Sequence, residues 1–452
     1  MRKALLASIL FVTIAGSAFA QEFRTGYFLE NYSYGYRINS GAPIEGKPYF
    51  FAGLGLGNVS LDARTNLSVP SFLSPYTAAD GTTSLVFPLL LSDFSLEEAI
   101  AGFSADNNAA VRMNLNLLTV GHQSDFNRWS AEINLHGNAM VGIPIDFFSI
   151  AKTGLLHIAD DSWEWNDRYS FAGLHASVDS YAEIALGYSH KIGERLTIGG
   201  RVKGLLGLAY VGLDLEAAAA PGVTKDVKAE VDGSVMIASP ISLDLPSYQS
   251  GGKTYYDTEA LINGFDFLSL LNGKKGPCGW GLGFDLGVTY ELIDGLYLSA
   301  AANDLGFISW NGIGVGYHID NELGDDNYKE ELLRFENISG KFTSGLDYSF
   351  VLGAKYKMPF YDRLSAGLLG TFQKYYSEAR LGLDITPLDF ISVAASAAIG
   401  TYGFNFGAAL NLKFPIVNFF IGTDAMMYNF TPQMIPLDEI NTMVTAGLLI
   451  AI

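Results

Sequence analysis

Six histidines, one cysteine and a few acidic stretches are the first places to look for chemistry in this chain. His122, His136, His157, His175, His190 and His318 are scattered, and none has metal-ligand spacing such as H-E-x-x-H. His318 and Asp320 form an i, i+2 pair in an expected loop, without a nucleophile signature beside them. Cys278 stands alone, which excludes an internal disulfide framework, and it reads as a loop thiol rather than a nucleophile. "GLGLG" (53–57) has neither the lysine nor the following helix of a phosphate loop. "DDSWEWND" (160–167) is acidic and aromatic, and reads as a solvated loop or a cation ligand. These residues predict no enzyme, no cofactor and no metal.

Polar residues with a repeating spacing say more. In "NRWSAEINLHGNAMVGI" (127–143) one register holds Trp129, Ala131, Ile133, Leu135 and Val141, and the other holds Ser130, Glu132, Asn134, His136 and Asn138. Side chains along a strand alternate between its faces, so one side is apolar and the other carries charges and amides. "AVRMNLNLLTV" (110–120) puts Arg112, Asn114 and Asn116 on its polar face. "YAEIALGYSH" (181–190) does so with Glu183, and "RLTIGGRVKGLLGLAYVGL" (195–213) with Arg201 and Lys203. Asp285 lies in a similar stretch, 279–291. Arg112, Asn114, Asn116, Glu132, Asn134, His136, Glu183, Arg201, Lys203 and Asp285 are therefore the candidate lumen-facing residues. Both signs of charge are present, which leaves two uses open: a mutually satisfied network, or the lining of a solute path.

Strands with such rows must separate two media, either protein core from water or lipid from a lumen. Further alternating stretches occur at 49–65, 295–304, 343–357, 363–376, 378–386, 389–400, 403–413, 416–428 and 441–452. Most approach or exceed the roughly 9 to 11 residues that a tilted strand needs to cross a bilayer. Strands of soluble sheets more often run about 5 to 6. Tight connections near 122–128, 191–195, 292–295, 358–363, 387–389 and 413–415 contrast with long ones at 66–109, 142–169, 215–278 and 305–342. If the first strand runs outward, the tight turns face the periplasm and the long loops face outside, as in outer-membrane barrels. The expected fold is all-β: a transmembrane antiparallel β-barrel of about fourteen strands over 49–452, with twelve and sixteen as alternatives. Segments 225–239 and 311–320 are then extracellular extensions rather than crossings.

Local detail follows from the same rows. Glu183 and Lys203 share the polar face, so a three-residue loop Ile192-Gly193-Glu194 with a left-handed glycine would set them directly opposite each other. Short helices are expected in the loops at 95–103, where Ser95 and Glu98 form a capping box, and at 145–154, 265–273 and 328–340. They cap the mouth or form a docking patch for a hydrophobic ligand. Segment 21–48 is aromatic without clean alternation. A lumen of about fourteen strands is too wide for its own side chains to fill, so this segment is expected to be a plug.

The first twenty residues read as a secretory signal peptide: Arg2 and Lys3, an apolar run Ala4 to Ile14, and the Ala18-Phe19-Ala20 cleavage site. No later run is long and apolar enough for a membrane helix. Charged residues make up only 17%, while Gly (50), Tyr (24) and Phe (30) are abundant, which suits a transmembrane barrel. The formal net charge of −19 argues against nucleic acid as a partner.

"RTGYFLENYSYGYRIN" (24–39), "HKIGERLTIGGRVKGLLGL" (190–208) and "YELIDGLYLSAAANDLGFISW" (290–310) resemble a Bacteroidetes outer-membrane protein family of uncharacterised function. That family is itself similar to the fourteen-stranded barrels of the long-chain fatty-acid transporter (FadL) type. Asn39-Ser40-Gly41-Ala42 stands where relatives often carry Asn-Pro-Ala, and "GLLIAI" lacks the terminal aromatic of many barrels. The resemblance implies a location in the outer membrane of a Gram-negative bacterium, in contact with its lipid. It also implies passive uptake of small molecules, hydrophobic ones included. The alternative is a non-transporting scaffold with a surface or secretion partner protein.

Overall fold

The computed structural model describes residues 23–452 except 31, 68–71, 78–80, 82, 92, 150–151, 153–168, 171–172, 221–226, 240–246, 251–252, 257–275, 324–335, 375 and 427–440. The expected signal peptide (1–20), the acidic-aromatic stretch 160–167 and the expected helix 265–273 therefore lie outside the described residues.

Fourteen antiparallel strands close into a barrel. They are β1 (Tyr49–Thr65), β2 (Asp106–Gln123), β3 (Asn127–Pro144), β4 (Leu174–Ile192), β5 (Leu196–Ala220), β6 (Gly279–Ile293) and β7 (Leu296–Leu323). The others are β8 (Ser349–Lys357), β9 (Leu364–Gln373), β10 (Ser377–Leu388), β11 (Ile391–Gly400), β12 (Gly403–Lys413), β13 (Val417–Ala425) and β14 (Thr442–Ala451). Each strand pairs with its sequence neighbour, and β1 pairs with both β2 and β14, so the ring has no free edge. Phe50 and Ile452 complete the closure by exchanging backbone hydrogen bonds of 2.7 and 2.8 Å.

The period-two rows account for the wall. On β4, Ile184 (50% exposed) and Leu186 (62%) point outward, while Glu183 (2%) and Ala185 (1%) point inward. Exposed aromatics gather near the two ends: Phe126, Tyr290, Phe390 and Phe414 on the side of the tight turns, Trp280, Phe307, Phe372 and Phe404 on the side of the long loops. An outward apolar band between aromatic girdles is what a bilayer demands of a barrel. The wall is taller on one flank. β5 and β7 run 25 and 28 residues, against 9 for β8 and 10 for β9. Above β6, the strand Val227–Ala238 fills the gap between the upper parts of β5 and β7, so 225–239 contributes an extension and not a crossing.

Two local expectations need correction. The β4–β5 turn is Gly193-Glu194-Arg195, with Gly193 at φ +62°, and Ile192 pairs with Leu196. Lys203 therefore lies opposite Ala185, and Glu183 opposite Leu205. The faces hold but the register slides by two, because parity alone does not distinguish registers that differ by two. Keeping Ile192 in the strand also keeps its apolar side chain in the outward row. In 328–340, the part from Glu336 on is strand, within Glu336–Gly345, which pairs with the upper part of β7. Elsewhere the loops do contain short helices: Leu96–Ile100 carries the full Ser95/Glu98 capping box, and residues 145–149 are helical. Phe103 stacks on Phe148 with centroids 3.9 Å apart and joins the two.

β1 is irregular in its middle. Leu54 pairs with Leu118 and Asn58 with Asn116, so four steps along β1 span two along β2. On the other side, seven steps from Ala52 to Val59 span four along β14. Such a bulge interrupts the ladder on both sides at one height of the wall.

Candidate functional site

Residues 23–30 and 32–44 lie inside the barrel and make the lumen what it is. The segment starts on the loop side, where the backbone N–H groups of Arg24 and Thr25 donate to Asp424 at 2.7 and 2.6 Å. It descends to Glu30 at the turn side, where Lys357 donates at 2.9 Å. It rises again to Arg37 at mid-height and leaves past Arg128, which donates to the carbonyl of Pro43 at 2.7 Å. The barrel leaves room for it with inward glycines. A Cβ on Gly287 would collide with Asn39 Oδ1 and lie 2.6 Å from the backbone nitrogen of Gly41. Gly422, Gly407 and Gly382 are filled in the same way by Phe23, Thr25 and Phe28. Phe420 anchors the aromatic part, with Tyr32 and Tyr34 edge-on at 5.0 and 5.7 Å.

The polar rows of β2 to β7 converge on Arg37. It donates to Glu132 at 2.5 Å and to Asn134 at 3.2 Å. Glu132 also meets Arg201 at 3.1 Å, Arg201 meets Asp285 at 2.9 Å, and Asp285 meets Lys203 at 2.8 Å. Lys203 reaches Asp304 at 2.6 Å. The sign alternates at every step, and the first five groups are almost wholly buried. A buried charge is tolerated only when paired and hydrogen-bonded, and this chain pairs each one, most of them twice. Glu183 lies beside the row, 3.7 Å from Arg201, 3.8 Å from Lys203 and 3.3 Å from His136, and accepts from Asn134 at 2.8 Å. Asn116 donates to Asn134 at 2.8 Å. Arg112 sits higher and binds Asp347 at 2.7 Å, and Asn114 borders a gap of about 60 Å³ between Arg112 and Arg37. All ten residues read from the sequence thus lie on inward rows. Eight meet in one network, Arg112 forms a separate pair, and Asn114 stands at the gap.

Two parts of the site were not read from the sequence. Asp304 adopts φ +58° at a bulge between β6 and β7, which turns its carboxylate to Lys203 and lets its N–H donate to Asp285 at 2.8 Å. The signal was Asn303-Asp304 inside the largely apolar run 296–310, since these residues tolerate left-handed backbone. The second part lies around the start of the inner segment. Arg380 holds Glu378 at 2.9 Å, Arg64 holds Asp62 at 2.7 Å and Tyr376 at 2.5 Å, and Arg24 lies 3.6 Å from Glu378. Glu378 and Arg380 stand at i, i+2 in β10, so their common face was legible. Their partner Arg24 was not, because its segment does not alternate.

Cavities lie on both sides of this barrier. On the loop side is one of about 910 Å³, bordered by Arg112, Asp179, Asp347, Tyr181 and Tyr210. On the turn side a pocket of about 160 Å³ is bordered by Glu30, Arg128, Lys355, Lys357 and Lys413. There burial alone would raise the Glu30 carboxyl, but Lys355 and Lys357 outweigh it and hold it below the usual carboxylate range. Cys278, just before β6, is buried and donates to the Leu208 carbonyl at 3.2 Å, and burial pushes its thiol up to about 11. It is therefore protonated and unreactive near neutral pH.

Residues 45–424 match the model of a family of unknown function, DUF5723. The chain belongs to this family. The matched span contains two of the three stretches on which the family resemblance rests, 190–208 and 290–310. No curated protein matches this DUF5723 member. Among solved structures it is similar to a mutant of the monoaromatic hydrocarbon channel TodX, at 11% identity and TM-score 0.43 over 96% of this chain and 95% of that one. It is similar to the monoaromatic hydrocarbon channel CymD, at 8% identity and TM-score 0.40 over 94% and 93%. A FadL homologue of Pseudomonas aeruginosa shows 10% identity and TM-score 0.36 over 90% and 89%.

Proposed function

We propose that this chain is an outer-membrane channel for the passive uptake of small molecules, hydrophobic ones included. Residues 21–48 act as its plug and 1–20 as the signal peptide that exports it. The carrying observation is the division of the lumen: a cavity of about 910 Å³ on the loop side, a pocket of about 160 Å³ on the turn side, and the Arg37 network between them. A solute is collected at the extracellular cavity. It leaves either past a displaced plug into the periplasm, or sideways at the β1 bulge, where the ladder to both neighbours is interrupted. The charges of the network are paired with one another, which favours a latch over a solute path for Glu132, Arg201, Lys203 and Asp285.

The test is single-channel recording and solute uptake in proteoliposomes, with the intact mature chain and with 22–48 deleted. The expected result is low conductance in the intact protein, a clear rise on deletion, and uptake of small solutes in at least one form. Neither conductance nor uptake in either form would overturn the proposal. A second reading rests on the tall flank of β5 and β7 with Val227–Ala238, a raised wall on which a surface or secretion protein could be held. A stoichiometric partner protein co-purified from native membranes, with no uptake, would favour that scaffold.

A further inference from the structure

The cavity on the loop side has two unlike walls. On one, Tyr181 and Tyr210 stand over an aromatic cluster, with Tyr210 5.3 Å from Trp310 and 5.1 Å from Phe342. His136 stacks on Tyr181 at 4.7 Å with an interplanar angle of 15°, which fixes one face of that ring. Asp179 stands on this same wall, two residues before Tyr181 on β4 and directly opposite Tyr210 on β5, and the other wall carries Asp347, just before β8. Asp347 is engaged by Arg112 at 2.7 Å. Asp179 accepts a hydrogen bond from Asn138 at 3.0 Å and has no cation in ion-pair contact among the described residues. Asp106 and Asp214 add negative charge at the rim, against Arg112 and Lys374.

We propose that this cavity binds organic cations: a quaternary or protonated amine seated at Asp179, with its hydrocarbon body against Tyr181 and Tyr210. This deepens the channel reading, since it names the solute class collected at the extracellular mouth. The chemistry discriminates among three kinds of solute. An anion would face Asp179 and Asp347 while the nearest guanidinium, Arg112, is already engaged. A neutral apolar molecule would strip water from Asp179 and offer no hydrogen bond in return. An organic cation supplies the missing charge to Asp179 and also meets two tyrosine rings, whose faces attract cations. A volume of about 910 Å³ admits a solute of drug-like size.

The probe is benzyltrimethylammonium, compared with benzyl alcohol as the neutral and phenylacetate as the anion. Calorimetry on the purified full chain in detergent should show the cation bound at least about tenfold more tightly than either. Asp179→Asn should remove at least tenfold of the cation's affinity and leave benzyl alcohol unchanged. Tyr210→Ala should weaken the cation more than Tyr210→Phe does, which keeps the site testable if the Asp179 variant misfolds. Equal affinity for the three probes, or a folded Asp179→Asn that binds the cation as before, overturns the proposal. Uptake of neutral solutes in proteoliposomes is measured separately. Uptake without cation preference overturns the site and leaves the channel, whereas cation binding without any uptake does the reverse.

Discussion

Replacing Arg37 by methionine tests what holds the inner segment at mid-lumen. The substitution keeps most of the side-chain length and removes the charge from a guanidinium that is 3% exposed. Removing one partner of a buried ion pair costs about 3 to 5 kcal/mol when the other is left unpaired. Glu132 is not left unpaired, because Arg201 remains 3.1 Å away, so the lower end, about 3 kcal/mol, is expected. That corresponds to roughly a hundredfold shift toward the open form of residues 32–44, at about 1.4 kcal/mol per factor of ten. Glu132→Gln should cost more, since it removes the only counter-charge that Arg37 contacts among the described residues, leaving it neutral acceptors such as the Asn134 oxygen at 3.2 Å, and also takes a carboxylate from Arg201. Hydrogen exchange of the 32–44 amides, read by mass spectrometry in detergent, measures the opening directly, and single-channel conductance reads its consequence. Arg112→Ala is the control, because Arg112 binds Asp347 and Gln373 rather than the segment. If exchange of 34–40 in Arg37→Met stays within about threefold of the parent while the segment is folded, the network is not the latch and the reasoning fails.

Three further outcomes follow from the same geometry. Gly287→Ala should displace Asn39 to Gly41, whose atoms a Cβ would strike, and lower stability by about 1 to 3 kcal/mol as overpacking does; a lower unfolding midpoint with faster exchange at 39–41 is the readout. Leu186→Arg places a charge on the outward face of β4, where the leucine is 62% exposed, and should cost about 2 to 4 kcal/mol in lipid if it lies near the bilayer midplane. Denaturant unfolding in vesicles checks it, and a neutral result would mean that this face does not meet hydrocarbon. Glu30 has its carboxyl held low by Lys355 and Lys357, so its contribution is present above its unfolded pKa and is lost as pH falls through the lower folded value. Exchange at residues 28–32 should therefore rise only in acid, below the ordinary carboxylate range, and Glu30→Gln should abolish that dependence.

The wall was the legible part of this molecule. Strict alternation over ten or more residues has one physical solution in lipid, and the inward position of Glu132, Asn134 or Lys203 follows from its parity. Parity has a period of two, so it fixes the face and not the register, and Glu183 ended opposite Leu205 instead of Lys203. The inner segment obeys no period, because its side chains fit into recesses left by glycines far away in sequence. Nothing near Arg37 announces that Glu132 lies 2.5 Å from it. Asp304 was hidden differently: a single left-handed residue in a long strand leaves no trace in the hydrophobic pattern, only the Asn-Asp pair that permits it.

The path of the inner segment has a mechanical consequence. It runs on into the wall at β1, on the side of the tight turns, so a pull from below meets its attachments one after another. The bonds of Gln123 and Tyr297 to Glu45 would bear load first, then the Arg128 clasp on Pro43, then Asn39 against Thr289, then Arg37, and the Asp424 grip on Arg24 and Thr25 last. A tether that peels in this order yields to small forces step by step, where the same bonds strained together would resist. The lumen could thus be widened by degrees while its upper anchor stays fastened.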